Sequence, residues 1–490
     1  MTASGVAAFG LLLSFMLLAL MRPQLPGPWR WNWRGLAIHA GLWCVGYAAL
    51  LMLLGRPWFS LGLALAFVML LVQVSNAKYL ALREAFVFQD FEYFTDAIRH
   101  PRLYIPFLGW GKFAAIVVVV VAALLAGLWL EPVVAGRFSG DGVWREALVL
   151  SVLGGALLFA GHGKVELTFD PVADLARWGF FACLWFYGVA ERVTRITGTK
   201  PSAAPYLERV GGDLLVVQSE SFFDPRSLFD GIRPDVLAAF DRVSAQSAQH
   251  GPLDVPAWGA NTVRSEFAFL SGLPASKLGV HRFNPYRSAL RGEMETLAKR
   301  AKAAGYRTLC VHPYPASFYR RDRVFPHFGF DEFIDISAFA DAPRCGPFVA
   351  DITLGERVKA LFNDTGQPLF VFVITMENHG PLHLEHSEAA DIPELYDRAP
   401  PVGCDDLTVY LKHLRNADLM LGDLRDFLVA RGKPARFCWY GDHVPIMASV
   451  YRQLGEPNGD TAYFIWDSNG DIAPAAIRRP LHQLATVLVS

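Results

Sequence analysis

The sequence has no CxxC pair, no Cys/His spacing of a zinc module and no Lys/Arg-rich run, and its formal net charge is −1. The first two absences exclude small zinc-stapled folds. The last two exclude nucleic acid as a partner, because no basic footprint is present to meet a phosphate backbone. No internal repeat or low-complexity tract appears either. The six cysteines are scattered. Cys44 and Cys183 lie in apolar segments and Cys310 and Cys438 in strand-like runs, where thiols act as small buried hydrophobes. Cys345 and Cys404 lie in Gly/Pro-rich loops, and in an exported domain they could oxidise to a disulfide.

Apolar residues are plentiful, at 53% of 490 residues, but unevenly spread. Residues 1–163 hold five long apolar stretches, Gly5–Met21, Gly35–Gly55, Trp58–Val74, Phe113–Leu130 and Ala147–Gly163. A bilayer crossing takes about 17–25 such residues, because backbone groups in lipid must bond internally. About five spans are therefore expected. The first stretch lacks a basic start and a small-residue cleavage site, so it reads as an anchor rather than a removed signal peptide. Asn76–Lys112 and the aromatic Ala176–Ala190 read as interfacial elements. Residues 164–205 are expected to form an interfacial helix and linker, with Thr197–Pro205 as the linker itself. Lys and Arg concentrate in the first and third loops (Arg22, Arg30, Arg34; Lys78, Arg83, Arg99, Arg102, Lys112). That bias places those loops in the cytoplasm. Five spans would then leave the second half cytoplasmic, whereas a sixth at Ala176–Ala190 would export it.

From residue 206 to 490 the pattern changes. Strand-like runs at Asp213–Val217, Arg307–Val311, Leu369–Thr375 and Arg436–Tyr440 alternate with helical patterns such as Gly292–Ala304 and Asp406–Val429. The fold class predicted is a helical transmembrane bundle followed by an α/β domain with a largely parallel central sheet.

Each of the four runs ends in polar residues that packing would not select. Gln218-Ser219-Glu220-Ser221 follows the first, and His312 with Ser317-Phe318-Tyr319-Arg320-Arg321-Asp322 follows the second. Met376-Glu377-Asn378-His379-Gly380-Pro381 follows the third, and Gly441-Asp442-His443 the fourth. Ligands of open α/β sheets bind beyond such carboxyl ends. Glu220, Asp442 and His443 offer two hard oxygens and an imidazole, suited to Mn²⁺, Mg²⁺ or Zn²⁺. Thr262 precedes the apolar helix pattern Val263–Leu270 and offers a fourth ligand and a nucleophile, its hydroxyl activated by the metal. Plainer roles exist for each residue: Thr262 as a helix N-cap, Arg321 paired with Asp322 at the surface, His379 bonded within a turn.

At these residues the sequence resembles the lipoteichoic acid synthase and phosphoglycerol transferase family of the alkaline phosphatase superfamily. That family joins five membrane spans to an exported sulfatase-like domain. Glu220 in Val217-Gln218-Ser219-Glu220-Ser221-Phe222 matches its metal-binding glutamate. Thr262, four residues before Glu266-Phe267, matches its nucleophile, and Gly441-Asp442-His443 its final metal pair. The resemblance gives His312, Tyr319, Arg321 and His379 as substrate-binding residues. It implies a multi-pass protein of the inner (cytoplasmic) membrane with its catalytic domain outside the cytoplasm, and one divalent ion, Mn²⁺ foremost. The reaction implied is ping-pong. Thr262 takes the glycerol-phosphate headgroup from a phospholipid donor such as phosphatidylglycerol, then passes it to a glycan or glycolipid acceptor. The short stretch after His443 favours single-substituent transfer over polymer synthesis. A phosphoethanolamine transferase shares this fold and nucleophile and is the nearest alternative, and a non-catalytic membrane sensor a more distant one. A sulfatase activity lacks its Cys-x-Pro-x-Arg or Ser-x-Pro-x-Arg motif.

Overall fold

The computed structural model describes residues 2–92, 110–134, 142–196, 211–362, 366–470 and 475–490, and the chain divides into two compact units, Met1–Thr194 and Arg195–Ser490. The first unit is helical: α1 (Ala3–Leu18), α2 (Trp33–Leu54), α3 (Pro57–Leu82), α4 (Trp110–Leu130), α5 (Val143–Gly161), α6 (Pro171–Trp178) and α7 (Phe180–Val193). All five apolar stretches are helices. Among the described residues α2, α3 and α5 are long and apolar enough to cross a membrane, while α1 has 16 residues. Local chemistry sets the ends. The Asn32 side chain accepts from Arg34 N at the start of α2, Gly55 closes it in the left-handed region, and Pro57 opens α3. Gly41 and Gly154 let α2 and α5 approach closely, since a Cβ on either would lie 2.9 Å from the other's carbonyl oxygen. Small residues do this work in lipid, where no hydrophobic force drives helices together.

The segments read as interfacial fall as follows. Gly179 breaks the aromatic segment into α6 and α7, and α7 buries Phe180, Phe186 and Tyr187 along α2. It packs within the first compact unit, which runs to Thr194. Its aromatic side chains have helix partners. Of Asn76–Lys112, the first residues continue α3, and 93–109 lie outside the described residues, as does the linker 197–205.

The second unit is built on a nine-stranded sheet of order β10-β2-β9-β8-β1-β7-β3-β4, with β11 beside β2. Its strands are β1 (Asp213–Ser219), β2 (Gln249–Asp254), β3 (Arg307–Val311), β4 (Glu332–Ile334), β7 (Leu369–Ile374), β8 (Ala435–Gly441), β9 (Thr461–Asp467), β10 (Ala475–Ala476) and β11 (Arg479–Pro480). A separate hairpin pairs β5 (Arg344–Cys345) with β6 (Phe348–Val349). The run β8-β1-β7-β3-β4 is wholly parallel, and β9 runs antiparallel to β8. Both faces are covered, which is why these strands read as continuous apolar runs. Leu215, Val217, Val371, Val373 and Trp439 enter one core, and Leu214, Val216, Phe370, Phe372 and Tyr440 the other. The flanking helices include α8 (Ala238–Ala245), α9 (Thr262–Ser271), α10 (Arg321–His327), α11 (Asp351–Leu361) and α12 (Asp405–Ala430). All six cysteines are free. Cys345 faces His413 and Asn416 and Cys404 is buried, so the disulfide considered for that pair does not form.

Candidate active site

The parallel register sets the ligand spacing. Ser219 of β1 pairs with Gly441 of β8, so Glu220 and Asp442 leave adjacent strands at the same level. A Cβ at Gly441 would lie 1.8 Å from the Phe222 carbonyl oxygen, so only glycine lets the chain after Glu220 cross there. Ser221 turns in the left-handed region at φ 55°. Its N–H donates to Asp442 Oδ1 at 2.9 Å and its hydroxyl to Glu220 Oε1 at 3.0 Å. Glu220 N donates to Thr375 Oγ1 at 2.9 Å, joining the ends of β1 and β7. His443 Nδ1 lies 3.1 Å from the Val444 carbonyl oxygen, the geometry of an N–H donor. Its Nε2 is then left as a lone pair, 3.5 Å from Glu220 Oε1 and 3.3 Å from Asp442 Oδ2.

The donor atoms of Glu220, Asp442 and His443 all lie within 4.8 Å of one another, and all three residues are buried. Asp442 Oδ2 has no hydrogen-bond partner among the described residues. Burial, and then the charge of Asp442, raise the Glu220 carboxyl to about 8. Two buried, mutually repelling carboxylates, one orphaned oxygen and an inward imidazole lone pair are what a divalent cation satisfies. The residues fit such an ion.

Thr262 opens α9, which Gly272 closes in the left-handed region. Asn261, at φ 71°, holds the cap position, and Thr262 is the first helical residue. It is thus not the N-cap considered from sequence. Gly259 N donates to the Val444 carbonyl at 3.0 Å, and Ser265 Oγ to the Asp442 carbonyl at 2.7 Å. Those two tethers bracket Thr262 and fasten the start of α9 to the end of β8.

Arg321 is 2% exposed and does not pair with Asp322 at the surface. Its Nε donates to Glu266 Oε2 at 3.1 Å and its Nη2 to Glu266 Oε1. Tyr286 also donates its hydroxyl to Glu266. Arg321 Nη1 donates to His312 Nε2 at 3.3 Å, and His312 Nδ1 lies 3.0 Å from the Ile374 carbonyl. Three of the five guanidinium N–H bonds are used, and no described residue accepts the other two. Burial, and then Arg321, lower the His312 pKa well below its ordinary value and keep the ring neutral. The guanidinium carbon sits 5.2 Å from the centre of the Tyr319 ring. His379 packs on Phe348, with its Nδ1 2.7 Å from the Gly380 carbonyl oxygen. Burial lowers its pKa, and the charges acting on it include Asp442 and Arg321. Arg321 also acts on Glu220. Glu266 entered the sequence reading only as a spacing marker. Its one signal was its position four residues after Thr262 on the same helix face.

Six non-glycine residues among those described take a positive φ, and four of them are Ser221, Asn261, Tyr319 and Arg320. Each is or adjoins a candidate residue: Glu220, Thr262, Tyr319 and Arg321. Left-handed side-chain-bearing residues cost energy and cluster at functional sites.

A family model described as Sulfatase matches residues 213–486, beginning at the first residue of β1. The chain belongs to the sulfatase family. That family lies within the alkaline phosphatase superfamily, whose members use a divalent metal ion. This sulfatase-family chain is 28% identical over 440 residues to the capsular polysaccharide biosynthesis protein RkpI of Rhizobium meliloti (strain 1021), covering 84% of this chain and 77% of that protein. Lipoteichoic acid synthase 1 of Bacillus subtilis (strain 168) is 24% identical over 185 residues, 36% of this chain and 27% of its own length. Among solved structures, Streptococcus pyogenes phosphoglycerol transferase GacH in complex with sn-glycerol-1-phosphate is 22% identical with a TM-score of 0.46, covering 57% of this chain and 74% of that chain.

Proposed function

We propose that this sulfatase-family chain is a membrane-anchored phosphotransferase that moves a phospholipid headgroup, glycerol phosphate from phosphatidylglycerol, onto an envelope glycan. The observation that carries the reading is a buried, cation-shaped trio tethered to a helix that begins with a hydroxyl residue. The N-terminus of α9 favours phosphate through its unsatisfied amides and dipole. A divalent cation held by Glu220, Asp442, His443 and Thr262, Mn²⁺ foremost with Mg²⁺ and Zn²⁺ as alternatives, would lower the hydroxyl's pKa and draw charge from the phosphoryl oxygens.

Thr262 Oγ1 forms a bond to phosphorus as the bond from phosphorus to the diacylglycerol oxygen breaks. Diacylglycerol leaves as an alcohol carrying the proton the threonine lost. In the second half an acceptor hydroxyl bonds to phosphorus, the phosphorus–threonine bond breaks, and the proton returns to Thr262. Arg321 directs its two remaining N–H bonds at the phosphoryl oxygens, and Tyr319 holds the headgroup. His312 spends both ring nitrogens on Ile374 and Arg321 and so positions the guanidinium. His379, with Nε2 left for proton traffic, carries the proton between leaving and entering oxygens. The names of RkpI and lipoteichoic acid synthase 1 support an envelope polymer as acceptor and a catalytic domain outside the cytoplasm.

The test is intact-mass spectrometry of the full chain after incubation with phosphatidylglycerol vesicles and no acceptor. A glycerol-phosphate adduct on Thr262 that Thr262→Ala abolishes is expected. An adduct formed only from phosphatidylethanolamine vesicles would reassign the headgroup. A Thr262→Ala protein that still turns over would remove threonine from the mechanism.

A further inference from the structure

A second cluster of ligand-type side chains lies in the same unit and takes no part in the mechanism above. Cys345 comes from β5, Glu377 from the segment after β7, and His413 from the middle of α12. His413 Nδ1 is 3.0 Å from Glu377 Oε1 and 3.6 Å from Cys345 Sγ, and the three donor atoms lie within 4.8 Å of one another. In a tetrahedral zinc site, with bonds of about 2.0–2.3 Å, neighbouring ligand atoms stand about 3.3–3.6 Å apart, close to the spacing here. The other ring nitrogen, Nε2, is 3.1 Å from Glu385 Oε2. That is the carboxylate–histidine arrangement which orients a metal-bound imidazole. Asn416 Nδ2 donates to Glu377 Oε1 at 2.6 Å and approaches Cys345 Sγ at 3.6 Å, steadying two of the three donors.

A further buried carboxylate adjoins the cluster. Asp351, the first residue of α11, is 1% exposed, and neither of its carboxylate oxygens has a hydrogen-bond partner among the described residues. Its own N–H donates to Glu377 Oε2 at 2.6 Å. The charged groups acting on it most strongly are Glu377 and then His413, with Glu220 after them. Glu377 is fully buried as well. Asp351 is the one of the two without a hydrogen-bond partner among the described residues, and a buried carboxylate so placed favours a cation nearby.

We propose that Cys345, Glu377 and His413 form a second metal site that holds a zinc-class divalent cation in a structural role, its remaining coordination filled by solvent. The site would clamp the β5–β6 hairpin and the segment after β7 to α12. Thiolate and imidazole select a softer ion than the two carboxylates and one imidazole of the catalytic trio, so the two centres sort different metals. Bound metal would also shield the half-buried Cys345 thiol from oxidants.

The test uses the full chain in detergent, stripped with a chelator, reloaded with Zn²⁺ and desalted. Elemental analysis should show that Cys345→Ser and His413→Gln each lower the zinc content by about one equivalent. Glu220→Ala should leave that equivalent in place. In the wild type, peptide mapping should find Cys345 slow to react with iodoacetamide when loaded and fast after chelation. This readout needs no variant to fold. The other five cysteines are buried and give the internal reference. Zinc content unchanged in both variants, or Cys345 alkylation indifferent to zinc, would overturn the site and leave His413 as an imidazolium between Glu377 and Glu385.

Discussion

Two buried ionic assemblies in the catalytic unit are put together in opposite ways. Around Arg321 the charges close on themselves. Glu266 takes two guanidinium N–H bonds and the Tyr286 hydroxyl, and His312 takes a third N–H. Although burial works against the charged form, Glu266 raises the Arg321 pKa further. At Glu220, Asp442 and His443 the charges do not close: two carboxylates face each other, and Asp442 Oδ2 has no hydrogen-bond partner among the described residues. The charge of the first assembly is balanced within the protein, with two N–H bonds to spare, and that of the second would be balanced by a divalent ion. A site built to bind therefore shows itself as a place where the chain withholds stabilisation from its own residues, and three experiments can break or sharpen that contrast.

The largest effect belongs to the second assembly. Glu220→Ala should cut turnover by about 10³-fold or more, since a donor that positions charge in the transition state is lost. Yet the metal-free protein should melt at the same temperature as wild type or higher, because one of two repelling buried carboxylates is gone. A metal-free melting temperature that falls by many degrees would show the trio to be structural. The first assembly should behave in reverse. Glu266→Gln leaves a buried guanidinium without its counter-charge and should cost about 3–5 kcal/mol. A thermal shift measured without metal reads this directly, and a neutral result would mean that Arg321 finds another partner.

The smallest effect is a pH dependence. His312 is held neutral by burial and by Arg321, with the Ile374 carbonyl and His379 also facing it. Its folded pKa lies below the unfolded value of about 6.5. The unfolded state therefore binds the proton first, and stability present above about pH 6.5 is lost as pH falls, by about 1.4 kcal/mol per pH unit at most. The slope of melting temperature against pH below that point should flatten in His312→Asn. An unchanged slope would place the acid sensitivity elsewhere.

Much of this arrangement was legible from local pattern. The strands after which Glu220, His312, Glu377 and Asp442 emerge are buried on both faces, so they appear as apolar runs with an abrupt polar end. β2 was not legible, since Gln249–Asp254 carries Gly251 and Pro252 and is only partly buried. The antiparallel direction of β9 is a tertiary fact with no local signature. Partnerships across long separations were equally hidden. Arg321 lies 55 residues from Glu266 and His413 lies 68 from Cys345, and no spacing rule joins such pairs. The aromatic segment around Trp178 and Trp185 shows the same limit: its composition suits a membrane interface or a helix–helix contact equally well, and its packing against α2 had no local signature.

The left-handed residues Ser221, Asn261, Tyr319 and Arg320 carry a consequence for how this enzyme could age. Asparagine tolerates that conformation, but for Tyr319 and Arg320 it costs about 1–3 kcal/mol each. Selection on the fold alone would remove that cost by relaxing the turn or by substituting glycine. A duplicated copy released from catalysis would therefore lose its backbone torsions at 319 and 320 while its metal ligands still stood in place.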